Sequence, residues 1–247
     1  MSNYEDVLEE YANPEIKLMK LIVNSGDSME VTLPIKPNSE NNYTIDWGDG
    51  TKEKVDPMAY ATHTYSSAST EYTVTIDGTV KEIDADNVSN SDSIVKVAQW
   101  GELGLTKVNF AWCGNLVEIA SPTKNSFKDV TDFSSAFAQT EITSIPENLF
   151  ANCPKVTNFS WAFLRTEITS IPKGLFDNCM KVESFVSTFY ACAELKGLAI
   201  ELWTRGTNSG LNDYQGTPNG WGCFYGCEQL DNYDQIPAYW VKNNVPE

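Results

Sequence analysis

Hydrophobic positions in the C-terminal half of the chain recur with a period of 26 residues. Residues 130–155 read VTDFSSAFAQTEITSIPENLFANCPK and residues 156–181 read VTNFSWAFLRTEITSIPKGLFDNCMK, with 18 of the 26 aligned positions identical. A third unit starts at Val182, and a Phe-x-x-Cys-x-x-Leu signature recurs at 110–116, 189–195 and 224–230. Because one such unit cannot bury its own apolar face, the pattern predicts roughly five stacked units between residue 94 and the C-terminus.

The repeat also predicts which side chains stack in the core. Equivalent positions form four ladders: Phe133, Phe159 and Phe185; Phe137, Phe163 and Phe189; Ile142, Ile168 and Leu195; Ile145, Ile171 and Leu198. We expect a short strand at 141–145, ended by Pro146 because proline cannot donate a ladder hydrogen bond. A short helical turn is expected at 148–150 and 174–176.

The N-terminal part of the chain has short runs in which apolar and polar residues alternate. Residues 31–35 and 72–76 alternate as strands do, and Pro34 places the first run at a sheet edge. Turn residues such as Gly48-Asp49-Gly50 separate the runs. This pattern predicts a small all-β sandwich. Residues 1–12 have the spacing of an amphipathic helix.

Composition and charge exclude several classes of function. The formal net charge is −17, so the protein would repel DNA or RNA. The single histidine, His63, leaves few schemes for His-based catalysis or metal binding, and no nucleophile–base pair, phosphate loop or metal cluster is present. We therefore predict no enzymatic activity, catalytic residue, metal or cofactor. No stretch reaches the ~20 apolar residues of a membrane span, and the acidic N-terminus lacks the features of a signal peptide.

Two motifs in the N-terminal part resemble the polycystic-kidney-disease (PKD) domain. The first is Tyr43-Thr44-Ile45-Asp46-Trp47-Gly48-Asp49-Gly50-Thr51, and the second is His63-Thr64-Tyr65, which precedes Tyr72-Thr73-Val74-Thr75. The resemblance implies an immunoglobulin-like sandwich of a kind found mostly in extracellular proteins. The chain is shorter than the family pattern and its first strand is weak, so a trimmed sandwich is expected.

The repeats resemble the BspA-type leucine-rich repeats of bacterial surface proteins. The Phe-x-x-Cys-x-x-Leu segments, the Ile-Thr-Ser-Ile-Pro segments and the Leu-Phe-x-Asn-Cys turns carry this resemblance, and residues 94–105 are similar to the entry coil of such arrays. It implies a surface protein that attaches to host proteins, other cells or glycans without catalysis.

The expected fold class is mainly β with short helices, an N-terminal immunoglobulin-like β-sandwich being followed by a leucine-rich-repeat solenoid. The expected divisions are an N-terminal arm or short helix at 1–15, a PKD-like sandwich at 16–84 and repeats at 94–247. Residues 85–93 are polar and form the connector. An insertion rich in Gly, Asn and Thr interrupts the repeats at 204–222.

Candidate ligand-binding residues are found where the repeats disagree. Trp161 replaces the serines of neighbouring units, and Arg165 replaces Gln139 and Ala191. An exposed Trp and Arg are typical of a binding hot spot, although Trp161 covering an adjacent ladder explains the pattern as well. The insertion adds Tyr214 and Trp221 to these candidates, since insertions in repeat arrays often form the binding side. The alternative is that the insertion is a structural capping loop.

Other polar groups and the cysteines have simpler interpretations. Asp46, Asp49 and Asp56 are compatible with a calcium site, but a tight turn explains them better. We expect His63 to pack beside Tyr65 with one ring nitrogen hydrogen-bonded. The six cysteines fit ladders of small buried side chains better than a disulfide framework, with one bridge left open.

Two functions fit these patterns. The first is a non-catalytic binding or adhesion protein, extracellular or displayed on a cell surface, whose partner is a protein or glycan on a host or cell surface. The alternative is a bacteriophage decoration or fibre protein on the virion surface, with other virion proteins as partners. Neither function involves nucleic acid or direct membrane insertion. The pattern leaves open the ligand, the oligomeric state, and bacterial versus phage origin.

Overall fold

The computed structural model describes residues 14–205 and 219–242, and this part of the chain is mainly β. It contains ten strands: β1 (Met19–Asn24), β2 (Glu30–Thr32), β3 (Asn42–Asp46), β4 (Lys52–Lys54), β5 (Thr62–Thr64), β6 (Glu71–Thr79), β7 (Glu82–Asp84), β8 (Ile94–Gln99), β9 (Lys107–Asn109) and β10 (Glu118–Ile119). The helices within the described residues are 3₁₀ helices of three or four residues: Pro14–Lys17, Ser91–Ser93, Leu202–Thr204, Tyr233–Gln235 and Ala238–Val241. The predicted N-terminal helix at 1–12 lies outside the described residues.

The largest sheet has six strands in the order β10-β8-β1-β6-β3-β4. Strand β1 lies inside this sheet and alternates in burial, so Met19, Leu21 and Val23 enter the core while the residues between them are partly exposed. The predicted strand at 72–76 lies within β6, and β2 ends before Pro34, which cannot donate to a ladder. Strands β2 and β5 form a separate antiparallel pair.

This sheet joins the two parts of the chain. Strand β8 pairs antiparallel with β1, and β10 pairs parallel with β8. Buried residues of the N-terminal strands and of the repeats belong to one continuous hydrophobic cluster. The contact between the two parts is therefore a shared sheet and core, and the division at 85–93 stays a prediction.

The repeats stack through parallel backbone contacts at one equivalent position. Lys107, Asp132, Asn158, Ser184 and Asn219 form a chain of parallel bridges. The predicted strand at 141–145 is wrong, because no ladder forms there. That segment has a single backbone contact with the next unit, from the N–H of Thr169 to the carbonyl of Thr143 at 3.1 Å. Its buried isoleucines are three residues apart, a spacing that a strand with a period of two cannot place on one face.

The hydrogen bonding between units is concentrated at 133–140 and its equivalents. Alternate N–H groups donate to the next unit, as from Phe137 to the carbonyl of Ala162 at 2.8 Å. The N–H groups between them donate three residues back, as from Ala138 to the carbonyl of Ser135 at 3.1 Å. This segment of each unit is thus a string of tight turns whose backbone N–H groups are paired, as burial requires.

The predicted phenylalanine ladders are confirmed. Phe133, Phe159 and Phe185 stack nearly parallel, with ring centroids 5.6 and 5.8 Å apart. Phe163 stacks between Phe137 and Phe189 at 5.5 and 5.4 Å.

One detail of the predicted core is wrong. Leu198 was expected inside with Ile145 and Ile171 but is 70% exposed, because the third unit departs from the repeat pattern there. Residues 148–150 lie in consecutive turns, with bonds from Leu149 to Pro146 and from Ala151 to Asn148, and residues 174–176 are arranged in the same way.

Candidate binding surface on the repeats

Two equivalent positions that recur along the repeats have a left-handed backbone. The first column contains Ser135, Trp161, Ser187 and Gly222, with φ between 52° and 61°. The second column contains Trp112, Gln139, Arg165, Ala191 and Gly226, with φ between 54° and 75°. Each of these residues is the third residue of a tight turn, a position that normally favours Gly or Asn. The two variable positions found in the sequence are these two columns.

Trp161 and Arg165 belong to the same string of turns, and both side chains are exposed. Trp161 is 45% exposed even though its unit is well packed. A left-handed conformation costs a non-glycine residue about 1–2 kcal/mol, and such strain is commonly found at functional sites. The backbone that carries these side chains is fixed, because the N–H of Trp161 donates to Val186 and that of Arg165 to Tyr190, both at 2.8 Å.

Trp221 lies two units along the stack from Trp161. The N–H of Trp161 donates to Val186, and the N–H of the following Ser187 donates to the carbonyl of Trp221. With about 4.8 Å per unit, the two tryptophan backbones are about 10 Å apart. Trp221 is 37% exposed, contacts the Tyr239 ring edge-on at 5.1 Å, and lies 5.6 Å from the Lys242 ammonium. Trp161, Arg165 and Trp221 are called the candidate face below.

The fourth candidate, Tyr214, lies outside the described residues, as does most of the insertion (206–218). At the start of the insertion, the Arg205 guanidinium donates to the carbonyls of Phe176 and Cys179 at 3.0 and 3.1 Å. Arg205 therefore closes the end of a repeat turn, which is a structural role.

Comparison with protein families agrees with this architecture. Residues 105–197 match the family described as "BspA type Leucine rich repeat region (6 copies)". The chain contains a BspA-type leucine-rich repeat region. Comparison with curated proteins and with solved structures gave no match. The family match does not reach residues 16–84, so the PKD resemblance stays a prediction. Within the described ranges, no helix is long and apolar enough to cross a bilayer.

Sequence reasoning missed one prominent residue of the BspA-type region. Trp112 is 61% exposed and occupies the same column as Arg165, with φ of 65°. The Phe-x-x-Cys-x-x-Leu alignment of residues 110–116 already placed Trp112 beside Ala191, so comparing that position across all units would have found it.

The aspartates considered for calcium are used in turns. Asp46, Asp49 and Asp56 each accept a hydrogen bond from the N–H two residues ahead, at 2.9 to 3.0 Å. Asp46 also pairs with Lys52 at 2.8 Å. These contacts support the turn interpretation over a cation site.

The prediction for His63 is confirmed. Its ring packs edge-on against Tyr65 at 4.6 Å and stacks on Trp47 at 4.9 Å. Its Nε2 lies 2.8 Å from Asp49 Oδ2. Burial raises the pKa of Asp49, but the hydrogen bonds from His63 and Thr51 outweigh burial and hold that pKa below its usual value. The histidine therefore closes a small aromatic cluster.

All six cysteines are buried and free, so the thiol-ladder interpretation is confirmed and no disulfide forms. Cys192 and Cys227 donate to the carbonyls of Phe163 and Phe189 in the preceding units, at 2.9 and 3.0 Å. Burial raises the pKa of Cys192 to about 11 and that of Cys113 to about 12. These thiols serve packing in the BspA-type repeats, because a protonated, buried thiol is a poor nucleophile.

Proposed function

We propose that this chain is a non-catalytic binding or adhesion protein, displayed on a cell surface, that recognises a protein, cell or glycan surface through the candidate face. The BspA-type repeat region supports this proposal, because proteins with such regions are typically surface-associated binding proteins. In this proposal the repeats form a solenoid that presents the face, and the N-terminal part is an immunoglobulin-like, PKD-type spacer.

The observation that carries the proposal is the exposure of Trp161 and Arg165 at strained backbone positions. An ordinary surface position would hold a small polar residue, as Ser135 does in the preceding unit. Trp and Arg are the residues most enriched at binding hot spots. Because their backbone is fixed by bonds to the next unit, little conformational entropy would be lost on binding.

The charge of the protein restricts the class of partner that it can bind. With a formal net charge of −17, the protein attracts basic surfaces and repels polyanions. Arg165 is one of only two arginines in the chain, and the other, Arg205, is used inside the structure. Arg165 is therefore the arginine available to the candidate face for a carboxylate or carbonyl of the partner.

The proposal is tested by surface plasmon resonance of the purified chain on immobilised extracellular-matrix proteins and glycans. We expect saturable binding to at least one of them, reduced at least about tenfold in a Trp161→Ala/Arg165→Ala double variant. Met180→Ala is the matched control, because Met180 is an exposed apolar residue of the same repeat outside both columns. Equal loss in the control, or no saturable binding to any surface, refutes the proposal.

A further inference from the structure

A polar cleft lies where the N-terminal sheet meets the first repeat. Three segments that are distant in sequence line it: the turn after β1 through the start of β2, the 3₁₀ helix Ser91–Ser93 with Asn90, and Asn115 of the first repeat. The cleft has a volume of about 280 Å³. Its lining is almost entirely amide, hydroxyl and carboxylate side chains, which distinguishes it from the apolar interior around it.

Hydrogen bonds between two of these segments hold the cleft in shape. Asp92 Oδ1 accepts the N–H of Gly114 at 2.7 Å, and Asn115 Nδ2 donates to the carbonyl of Asp92 at 2.8 Å. Ser91 Oγ donates to the carbonyl of Trp112 at 3.2 Å. One wall of the cleft is thus anchored to the turn that carries Trp112.

Two polar side chains at the cleft lack a hydrogen bond that the fold could supply. Asn90 makes no capping hydrogen bond to the 3₁₀ helix Ser91–Ser93. Ser93 lines the cleft, is only 8% exposed, and its hydroxyl has no hydrogen-bond partner among the described residues. An unpaired buried hydroxyl is unfavourable, and such groups in a concave site are typical of ligand recognition.

The turn that carries the exposed Trp112 adjoins this cleft, because the Trp112 carbonyl accepts the hydrogen bond from Ser91. It is the most exposed tryptophan of the described residues and has a left-handed backbone, with φ of 65°. Asn90 on the opposite segment has the same φ. A bulky residue in this conformation is a genuine outlier, and its position beside a polar cleft gives the strain a functional interpretation.

We propose that this cleft binds a neutral saccharide, with Trp112 stacking on a sugar ring and Asn90, Asp92 and Asn115 bonding its hydroxyl groups. The C–H face of a pyranose packs on an exposed indole, while its hydroxyls both donate and accept, as amides and carboxylates do. The carboxylates of Glu30 and Asp92 would repel sialylated, sulfated or uronic sugars. The site is separate from the candidate face and does not depend on the function proposed for that face.

The test is binding of the purified chain to an array of immobilised neutral, sialylated and sulfated oligosaccharides in buffer containing EDTA. We expect binding to neutral members alone. Trp112→Ala should weaken it at least about tenfold. Asp92→Asn keeps the Oδ1 that accepts from Gly114 and should weaken binding less. Urea unfolding of each variant checks that the fold is retained.

Met180→Ala is the matched control, because Met180 is an exposed apolar residue of the repeats outside both the cleft and the candidate face. Loss in Trp112→Ala with retention in Met180→Ala supports the cleft. Loss in Trp161→Ala alone would place saccharide binding on the candidate face and overturn the inference. Absence of binding to every neutral oligosaccharide, or binding that requires added calcium, would also overturn it.

Discussion

The strain at Arg165 predicts that glycine there stabilises the protein. Arg165 has a φ of 54° and an exposed side chain, so replacing it with alanine removes little packing but keeps the strained backbone. Replacing it with glycine removes the strain as well. Comparing Arg165→Gly with Arg165→Ala therefore isolates the backbone contribution to the free energy of unfolding.

The magnitude follows from two opposing effects. A left-handed residue with a Cβ costs about 1–2 kcal/mol, whereas glycine loses about 0.5–1 kcal/mol more conformational entropy on folding. We expect Arg165→Gly to be about 0.5–1 kcal/mol more stable than Arg165→Ala, and Arg165→Ala to lie within about 0.5 kcal/mol of the natural protein. For a chain of this size, 1 kcal/mol corresponds to about 2–4 °C in Tm.

The assay is urea unfolding followed by tryptophan fluorescence, with linear extrapolation of the free energy. Glu167 is the control position, since it is exposed in the same repeat but has no positive φ. There the order should reverse, with Glu167→Gly less stable than Glu167→Ala. The reasoning is refuted if Arg165→Gly is equal to or less stable than Arg165→Ala. If the candidate face binds as proposed, Arg165→Gly should also bind more weakly while being more stable.

Three further predictions concern the core and its ionisable groups. Phe163→Ala should destabilise by about 3–5 kcal/mol in urea unfolding, because the ring stacks between two others; a loss below 1 kcal/mol would contradict the ladder. Burial raises the pKa of Asp84, but Lys107 at 2.9 Å helps hold it below its usual value. Asp84→Asn should therefore lower the free energy of unfolding by about 1–2 kcal/mol at pH 7 and by progressively less below about pH 4. A loss that does not change with pH would contradict a stabilising charge on Asp84. Burial raises the pKa of the Cys113 thiol to about 12 and that of the Cys192 thiol to about 11. The native protein should therefore resist thiol labelling at pH 8 until it is denatured, and rapid labelling of the native protein would contradict burial.

The ladders were predictable because they depend on stacking alone. Units of equal length place Phe133 over Phe159 and Phe159 over Phe185 whatever path the backbone takes between them. The path itself was not predictable. The Phe-Ser-Ser-Ala-Phe segment lacks the apolar–polar alternation of a strand. It also lacks a glycine at its left-handed position, where glycine is the usual residue. Local propensity therefore did not indicate backbone hydrogen bonds that alternate between the next unit and the same unit.

The polar cleft was beyond sequence reasoning for a different reason. Asn90 and Asn115 meet the turn after β1 only because β8 pairs with β1, a contact between segments about seventy residues apart. Separately, each residue is an ordinary loop residue. Trp112 was accessible to the repeat comparison, but Asn90 and the turn after β1 belong to no repeat.

The hydrogen-bond pattern explains why the repeats can vary in sequence at Trp161 and Arg165 in particular. At these positions the backbone donor is used by the next unit, as from Arg165 to Tyr190, and the turn before it is closed by another bond, from Leu164 to Trp161. The main chain is therefore satisfied regardless of which side chain is present. The left-handed conformation imposes a similar strain on any residue with a Cβ. Serine, glutamine, alanine, arginine and tryptophan at these positions are therefore nearly equivalent for stability. Packing requires the phenylalanines between them, whereas the fold sets no such requirement for a tryptophan or an arginine at these two positions.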